Sequence, residues 1–180
     1  MGQSLHCNAK RVMGRSVMPQ FDSSDLRISA LAHGPLRWFR DWPDASVPRF
    51  GAGVYTIWDS EGRFIYVGMS GRGITGGMAV PNRPHGLVTR LHSHAQGRRS
   101  GDQFCVYVAD RFVLPTLSAE EIADIASERH SLDAYVRRYI HQHLGYRFSL
   151  CGEGADAAAI EWQIRRGEWP PGKPLLNPLA

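Results

Sequence analysis

Two tyrosine-containing segments constrain the fold of this 180-residue chain more than any other feature. The first reads Gly53-Val54-Tyr55 and continues as Thr-Ile-Trp, and the second reads Phe-Ile followed by Tyr66-Val67-Gly68. β-Branched and aromatic residues dominate both segments, and the glycine-containing stretch 59–62 lies between them. Such segments on either side of a short glycine-containing connection are typical of a β-hairpin. We therefore predict an antiparallel pair of strands here. On such a hairpin, packing alone would explain the presence of two tyrosines.

The composition favours one globular domain with a polyanionic partner. The net charge is +4, and 19 of the 21 basic residues are arginines, whose planar fork binds phosphate bidentately. Arginine-rich codon usage in a GC-rich genome would produce the same bias. Three widely spaced cysteines favour neither a disulfide framework nor a zinc ribbon, which suits a reducing cytoplasm. We find no apolar run of membrane-spanning length and no secretory leader, so we expect a cytoplasmic protein without a membrane partner.

The order of patterns along the chain predicts an α+β fold, in which a small, mainly antiparallel sheet of three to four strands is flanked by helices. Residues 1–47 form an N-terminal extension that is irregular to about residue 27 and then enters a short helix and a loop. Residues 48–180 form the domain itself, with inserted helices at about 116–145. Helices are predicted at 87–97, from the Ser118 capping box onward, at 131–144 and at 155–166; strands at 104–108 and 146–150; and a Gly/Pro-rich loop at 71–86.

Arg90 and His94 are the first candidates for chemistry. They are four residues apart on a predicted helix and therefore share a face. An arginine can stabilise developing negative charge on a phosphate, and a histidine beside it can relay a proton. A solvated surface pair is the simpler alternative.

Glu161 is the candidate metal ligand. It lies at the edge of the apolar face that Ile160 and Ile164 form on the last predicted helix. A carboxylate in such a place can bind a hard cation such as Mg²⁺, which takes oxygen ligands and retains several waters. The alternative is an ion pair with Arg165, one helical turn later.

Taken together, these residues resemble the GIY-YIG nuclease superfamily. The family pattern is a Gly-Ile-Tyr strand, a Tyr-Ile-Gly strand, a helix with an essential Arg, a helix with an essential Glu, and an Asn. The matching positions here are Gly53-Val54-Tyr55, Tyr66-Val67-Gly68, Arg90, Glu161 and Asn177. His94 is similar to the histidine of an Arg-x3-His variant in restriction-type and related members. The resemblance covers roughly residues 48–178, with Val for Ile in both triplets.

The resemblance implies a Mg²⁺-dependent DNA endonuclease, with Mn²⁺ as a substitute metal, in a restriction, mobile-element or repair setting. Its implied site consists of Tyr55 as base toward the attacking water, Tyr66 and His94 beside it, Arg90 on the phosphate, Glu161 on the metal, and Asn177 positioning the phosphate or a neighbouring group. Arg72 and Arg83, in the loop at 71–86, are candidates for contacts to the DNA backbone.

Double-stranded DNA is the expected partner. Since each chain would carry a single active site, cutting both strands could involve a homodimer on the DNA. A nucleic-acid-binding module that uses the same scaffold without cutting is the main alternative. An unrelated small α+β protein is the other. Two departures from the family pattern affect how a substrate would be gripped: the loop at 71–86 is longer than in the smallest members, and the region between residues 104 and 146 carries extra helices.

Overall fold

The computed structural model describes residues 23–79 and 81–177. Its fold is α+β, as predicted, with a small sheet flanked by six α-helices over that part of the chain. The helices are α1 (Ser23–His33), α2 (Leu87–Gln96), α3 (Gln103–Val108), α4 (Ala119–Ala126), α5 (Leu132–His143) and α6 (Gly154–Arg165). Among the described residues, none of the helices is both long and apolar enough to pass through a membrane.

The predicted hairpin forms the centre of the sheet. Strand β2 (Phe50–Asp59) pairs antiparallel with β3 (Phe64–Ser70), so that Tyr55 lies opposite Gly68 and Ile57 opposite Tyr66. The other strands are β1 (Arg37–Trp38), β4 (His85–Gly86) and β5 (Leu144–Cys151). The order is β1-β5-β2-β3, all antiparallel, and β4 pairs in parallel with the start of β2. Two short strands thus raise the total in the described region to five.

Helices cover both faces of the sheet. Along β2, Tyr55 and Ile57 point into one core, whereas Val54 and Trp58 point into the other, because successive strand residues face opposite sides. The first core receives buried residues from α2, α3 and α5, and the second receives them from α1 and α6. Burial on both faces explains why β2 carries an almost continuous run of buried residues.

The segment 104–108 is a helix, and the strand prediction there was wrong. The Asp102 side chain accepts a hydrogen bond from the Phe104 backbone N–H and caps α3. Phe104, Cys105 and Val108 are buried, which is the i, i+1, i+4 pattern of a helix face. A five-residue apolar run fits a buried strand equally well, and the cap two residues earlier decides the conformation.

The predicted helix starts are confirmed for α4 and α5. Ser118 and Glu121 form a reciprocal capping box, and the Ser131 side chain accepts from the Ala134 backbone N–H. The helix near the N-terminus begins at Ser23, so the expectation of irregular chain as far as residue 27 was wrong for its last five residues. Residues 1–22 of the predicted extension lie outside the described residues. Leu31 of α1 and Phe39 are fully buried against the sheet.

Candidate active site

A chain of three buried side chains links the sheet to α2 and α3. The Tyr55 hydroxyl lies 2.7 Å from Nε2 of His94, and Nδ1 of the same imidazole lies 2.7 Å from Oδ2 of Asp102. Tyr55, His94 and Asp102 are exposed by only 1%, 1% and 2%. With Asp102 ionised, the His94 Nδ1–H donates to the carboxylate, and Nε2 is left to accept the Tyr55 hydroxyl proton. The imidazole therefore faces the phenol with its basic nitrogen.

The protonation states of this chain follow from burial and from its hydrogen bonds. Burial lowers the pKa of His94; the hydrogen bond to Asp102 opposes that effect without cancelling it, and the imidazole is neutral near pH 7. Burial raises the pKa of Asp102, but hydrogen bonds from His94 and Ser93 outweigh it and hold that pKa below the usual value. Burial, reinforced by the nearby Tyr66, raises the pKa of Tyr55 well above 10. Tyr55 is thus a phenol whose proton has a neutral acceptor in place.

The glycines of the two signature segments make room for this arrangement. A Cβ atom on Gly68 would lie 2.2 Å from the Tyr55 hydroxyl oxygen and 3.0 Å from Cε1 of Tyr66. A Cβ on Gly53 would lie 2.5 Å from Cδ1 of Leu87, the first residue of α2. Gly68 therefore admits the Tyr55 hydroxyl, and Gly53 lets α2 pack directly on β2. Both approaches are closer than any residue with a side chain permits.

A cleft of about 590 Å³ lies beside the buried chain. It is lined by residues from the end of β3, the loop that follows, β4, α2 and α6: Met69, Ser70, Gly71, Arg72, Gly73, His85, Thr89, Arg90, Ser93 and Glu161. Arg72 and Arg90 are exposed, and Glu161 is the one carboxylate among the described lining residues. The structure thus brings Arg72, Arg90 and Glu161 together around one space.

Ser93 connects the cleft to the buried chain. It lines the cleft, and its hydroxyl donates a hydrogen bond of 2.8 Å to Oδ2 of Asp102. Tyr66 is half-buried on the same side, with its ring centroid 6.4 Å from that of Tyr55 and 6.1 Å from that of His94. Burial raises the pKa of Tyr66 to about 12, and the charges of Glu161 and Asp102 add to the effect. Tyr55, Tyr66 and His94 lie next to the cleft without lining it.

Asn177 and Arg83 lie apart from the cleft lining. The Asn177 side chain accepts from the Val67 N–H at 2.8 Å and donates to the Val67 carbonyl at 2.9 Å, so it closes the open side of β3. Its contact is with the backbone between Tyr66 and Gly68, and it reaches the site only through that strand. Arg83 is exposed in the loop before β4.

Glu161 has the chemistry of a Mg²⁺ ligand. Burial raises the pKa of its carboxyl, and the positive charges of Arg165 and Arg72 oppose that rise. A cation at Glu161 would relieve the same desolvation and would face a cleft whose other polar side chains are three hydroxyl groups, two arginines and the His85 imidazole. One carboxylate, several waters and a substrate phosphate make a usual Mg²⁺ shell. These residues therefore fit Mg²⁺ bound together with a phosphate.

A second group of possible metal ligands does not fit Mg²⁺. Ligand atoms of His94, Asp102 and Cys105 lie within 4.8 Å of one another, and all three residues are buried. Nitrogen and sulfur are poor partners for a hard cation. Burial raises the pKa of the Cys105 thiol, which points toward the His94 carbonyl at 3.8 Å. These groups satisfy one another by hydrogen bonds.

Asp102 and Ser93 are the site residues that sequence reasoning missed. Asp102 follows Gly101 and precedes an apolar run, which is the pattern of a helix N-cap. Reading residues 104–108 as a strand concealed that signal. Ser93 lies three residues after Arg90 on α2, where helical spacing places the two on neighbouring parts of the surface. The contact of Asp102 with His94 depends on how α3 folds back on α2, and no local pattern reports it.

In comparisons with protein-family models, with curated proteins and with solved structures, no match to this chain was found.

Proposed function

We propose that this protein is a Mg²⁺-dependent DNA endonuclease that hydrolyses phosphodiester bonds by a GIY-YIG-type mechanism. The observation that carries the proposal is the 2.7 Å contact between the Tyr55 hydroxyl and Nε2 of His94, beside a cleft that holds Arg90 and Glu161. Such hydrolysis requires four groups: a tyrosine, a neutral imidazole in contact with it, an arginine that binds phosphate, and a carboxylate that binds the metal. The resemblance in the order of these residues along the sequence supports the same reaction.

Tyr55 acts as the base toward water, and His94 makes that possible. A phenol with a raised pKa cannot ionise by itself near neutral pH. It can take a proton from water as it passes its own proton to Nε2 of His94. The imidazolium that results is stabilised by Asp102, whose carboxylate is ionised and already holds Nδ1–H.

Arg90 and Arg72 bind the phosphate in the cleft. Both are exposed cations that line the same space. As the water oxygen bonds to phosphorus and the bond to the leaving sugar oxygen breaks, negative charge develops on the phosphoryl oxygens. A guanidinium placed beforehand next to that charge stabilises the transition state more than the ground state.

Glu161 is the residue that would hold Mg²⁺, with Mn²⁺ as a substitute. When bound, the metal polarises the scissile phosphate and supports charge on the leaving oxygen. Asn177 fixes β3 through Val67 and so holds Tyr66 and Gly68 in place, which makes it a positioning residue. Double-stranded DNA is the proposed partner, and a homodimer would allow cleavage of both strands.

The test is cleavage of plasmid DNA by purified protein, with Mg²⁺ or with EDTA, for the wild type and for Glu161→Gln. Of these two proteins, only the wild type should give products, and only with Mg²⁺. Glu168→Gln is the matched control, since Glu168 is an exposed glutamate that pairs with Arg166 just after the same helix. This variant should cut like the wild type.

Binding of a DNA duplex, measured in EDTA, separates the alternatives. The Glu161→Gln variant should bind DNA about as well as the wild type. Full cleavage by Glu161→Gln would remove the metal-ligand role. Absence of cleavage by the wild type together with salt-dependent DNA binding would favour a non-catalytic nucleic-acid-binding module on this scaffold.

A further inference from the structure

We propose that a second surface, built by the end of α2 and by α5, binds DNA backbone phosphates that flank the cleft. We call it the α2–α5 arginine surface and define it by Arg98, Arg137 and Arg138. The inference rests on the proposed function for its partner, the DNA that enters the cleft. It assigns a role to α5, one of the helices between residues 116 and 145, a region that contributes none of the described residues of the cleft lining.

Gly97 sets the geometry of this surface. It ends α2 in the left-handed conformation, with φ +68°, and a Cβ at this position would lie 2.5 Å from the backbone of Arg137. The end of α2 therefore packs directly on the backbone of α5. The Nε2–H group of His141 reinforces the contact, with 2.9 Å to the Ala95 carbonyl. Since Arg98 directly follows Gly97, this close approach places Arg98 beside Arg137.

The surface is a shallow depression with a strong excess of positive charge. It encloses about 470 Å³, and Arg98, Arg137 and Arg138 line it with exposed side chains. Asp133 is the one carboxylate among its described lining residues, and it already pairs with Arg99 at 2.7 Å. Three like charges on two packed elements repel one another, and a bound anion would relieve that repulsion.

The chemistry of the lining selects phosphate over an apolar ligand. Ala134 is the one apolar residue among the described residues of the lining. A guanidinium matches phosphate oxygens with paired N–H donors. The first turn of the 12-residue helix α5 faces the same depression, as Ser131 and Ala134 line it, and contributes the positive end of the helix dipole.

The position of the surface suits a duplex that also occupies the cleft. Arg90 lines the cleft near the start of α2, and Arg98 follows the end of the same helix. Six residues of helical rise from Arg90 to Gln96 span roughly 9 Å, and Gly97 then turns the chain before Arg98. A spacing of this size is comparable to the width of the DNA major groove, about 12 Å, so phosphates on the two sides of a groove can reach both arginines.

The test compares two triple variants that remove the same charge. The first is Arg98→Gln, Arg137→Gln and Arg138→Gln together. The control is Arg40→Gln, Arg111→Gln and Arg166→Gln, at exposed arginines that line neither this surface nor the cleft. Binding of a fluorescein-labelled DNA duplex is measured by fluorescence anisotropy in EDTA between about 50 and 200 mM salt. The salt slope, which is the slope of log K against the logarithm of the salt concentration, is about −0.9 for each phosphate contact.

We expect the first triple variant to reduce the magnitude of the salt slope by about two to three and to weaken binding, with the control close to the wild type. Urea unfolding checks that all proteins are folded. If the triple variant does not fold, the single variants Arg98→Gln and Arg138→Gln should each reduce the slope by about one. Equal slopes for the surface variants and the control, or no DNA binding by the wild type, would overturn the inference.

Plasmid cleavage in Mg²⁺ distinguishes this inference from the proposed function. The surface variant should still cut at saturating DNA, with a raised KM. Cleavage by the wild type with unchanged slopes for the surface variant would reject the α2–α5 arginine surface alone. A changed slope without cleavage by the wild type would leave a DNA-binding surface on a protein that is not a nuclease.

Discussion

Gly68 lies directly against the hydroxyl group of Tyr55, across the pair of central strands. The two residues are register partners on β3 and β2, and a Cβ on Gly68 would come within 2.2 Å of the Tyr55 oxygen. The same hydroxyl contacts His94 at 2.7 Å. The glycine of the second signature segment is therefore required by the tyrosine of the first, because any side chain would displace the phenol from the imidazole.

Gly68→Ala should lower the free energy of unfolding by about 1–3 kcal/mol, the usual cost of forcing a methyl group into a packed core. Urea unfolding gives the value. Gly152→Ala is the control, since nothing lies within 4 Å of a Cβ at that exposed position, and its stability should match the wild type. Equal free energies of unfolding for Gly68→Ala and the control would mean that the Tyr55 side chain moves away from the added methyl group without loss of stability.

Tyr55→Phe should slow DNA cleavage by about 10²- to 10⁴-fold, the range for loss of a general base. It also leaves the buried Nε2 of His94 without its partner, which costs about 1–3 kcal/mol. Rates are therefore compared at a temperature at which circular dichroism shows both proteins folded. Tyr139→Phe, a change on α5 outside the cleft, is the control, and near-normal cleavage by Tyr55→Phe would exclude its role as base.

Asp102→Asn should slow cleavage by about 10²-fold or more and should move the acid limb of the pH profile. His94 must be neutral to accept a proton, so activity falls as pH drops through its pKa. The Asp102 carboxylate raises that pKa against the effect of burial. Its removal lowers the pKa, and the acid limb shifts to lower pH while the maximum rate falls.

Nitrogen NMR of His94 provides a readout for Asp102→Asn that is independent of cleavage. In the wild type the proton should reside on Nδ1, and in the variant this preference should weaken. Asp110→Asn, at an exposed aspartate, should change neither the profile nor the tautomer. An unshifted acid limb in Asp102→Asn would show that Asp102 only caps α3.

The buried His94 should make the fold sensitive to acid. Its pKa in the folded state is below the ordinary value of 6.5, so the unfolded chain binds a proton as pH falls below that value and the folded chain does not. The contribution of His94 to the free energy of unfolding is therefore fully present above about pH 6.5. It falls by up to about 1.4 kcal/mol per pH unit as pH drops from there toward the lower pKa of the folded state. Urea unfolding of wild type and His94→Gln across this range measures the difference; parallel curves would contradict it.

Asn177→Ala should destabilise the attachment of the C-terminal segment to β3. The amide makes two hydrogen bonds with Val67, and their loss leaves the backbone there exposed to water or unsatisfied. We expect a loss of about 1–3 kcal/mol and faster amide hydrogen exchange at Val67. Asn82→Ala, in an exposed loop, is the control. The Leu175 and Leu176 N–H groups also donate hydrogen bonds to the Phe64 and Ile65 carbonyls of β3, and normal exchange at Val67 in Asn177→Ala would show that these two bonds suffice.

The parts of the fold that are set by residues close together in the sequence were predictable. The hairpin follows from β-rich segments around a short connection, and the starts of α4 and α5 follow from Ser118 and Ser131, whose side chains bond to N–H groups a few residues away. Segment 104–108 failed because its five apolar residues suit a helix or a strand. Its conformation depends on the cap at Asp102 and on burial against α2 and α5.

The amino-acid sequence by itself determined the order of the candidate residues and, for most of them, the helix or strand on which each one lies. Only the tertiary structure decided which of them meet. Tyr55 and His94 are 39 residues apart, and Asn177 bonds to a residue 110 positions earlier. Asp102 becomes part of the site because α3 folds back on α2 and buries its carboxylate against an imidazole. Hydrogen bonds and pKa shifts depend on distance and burial, and packing across the whole domain sets both.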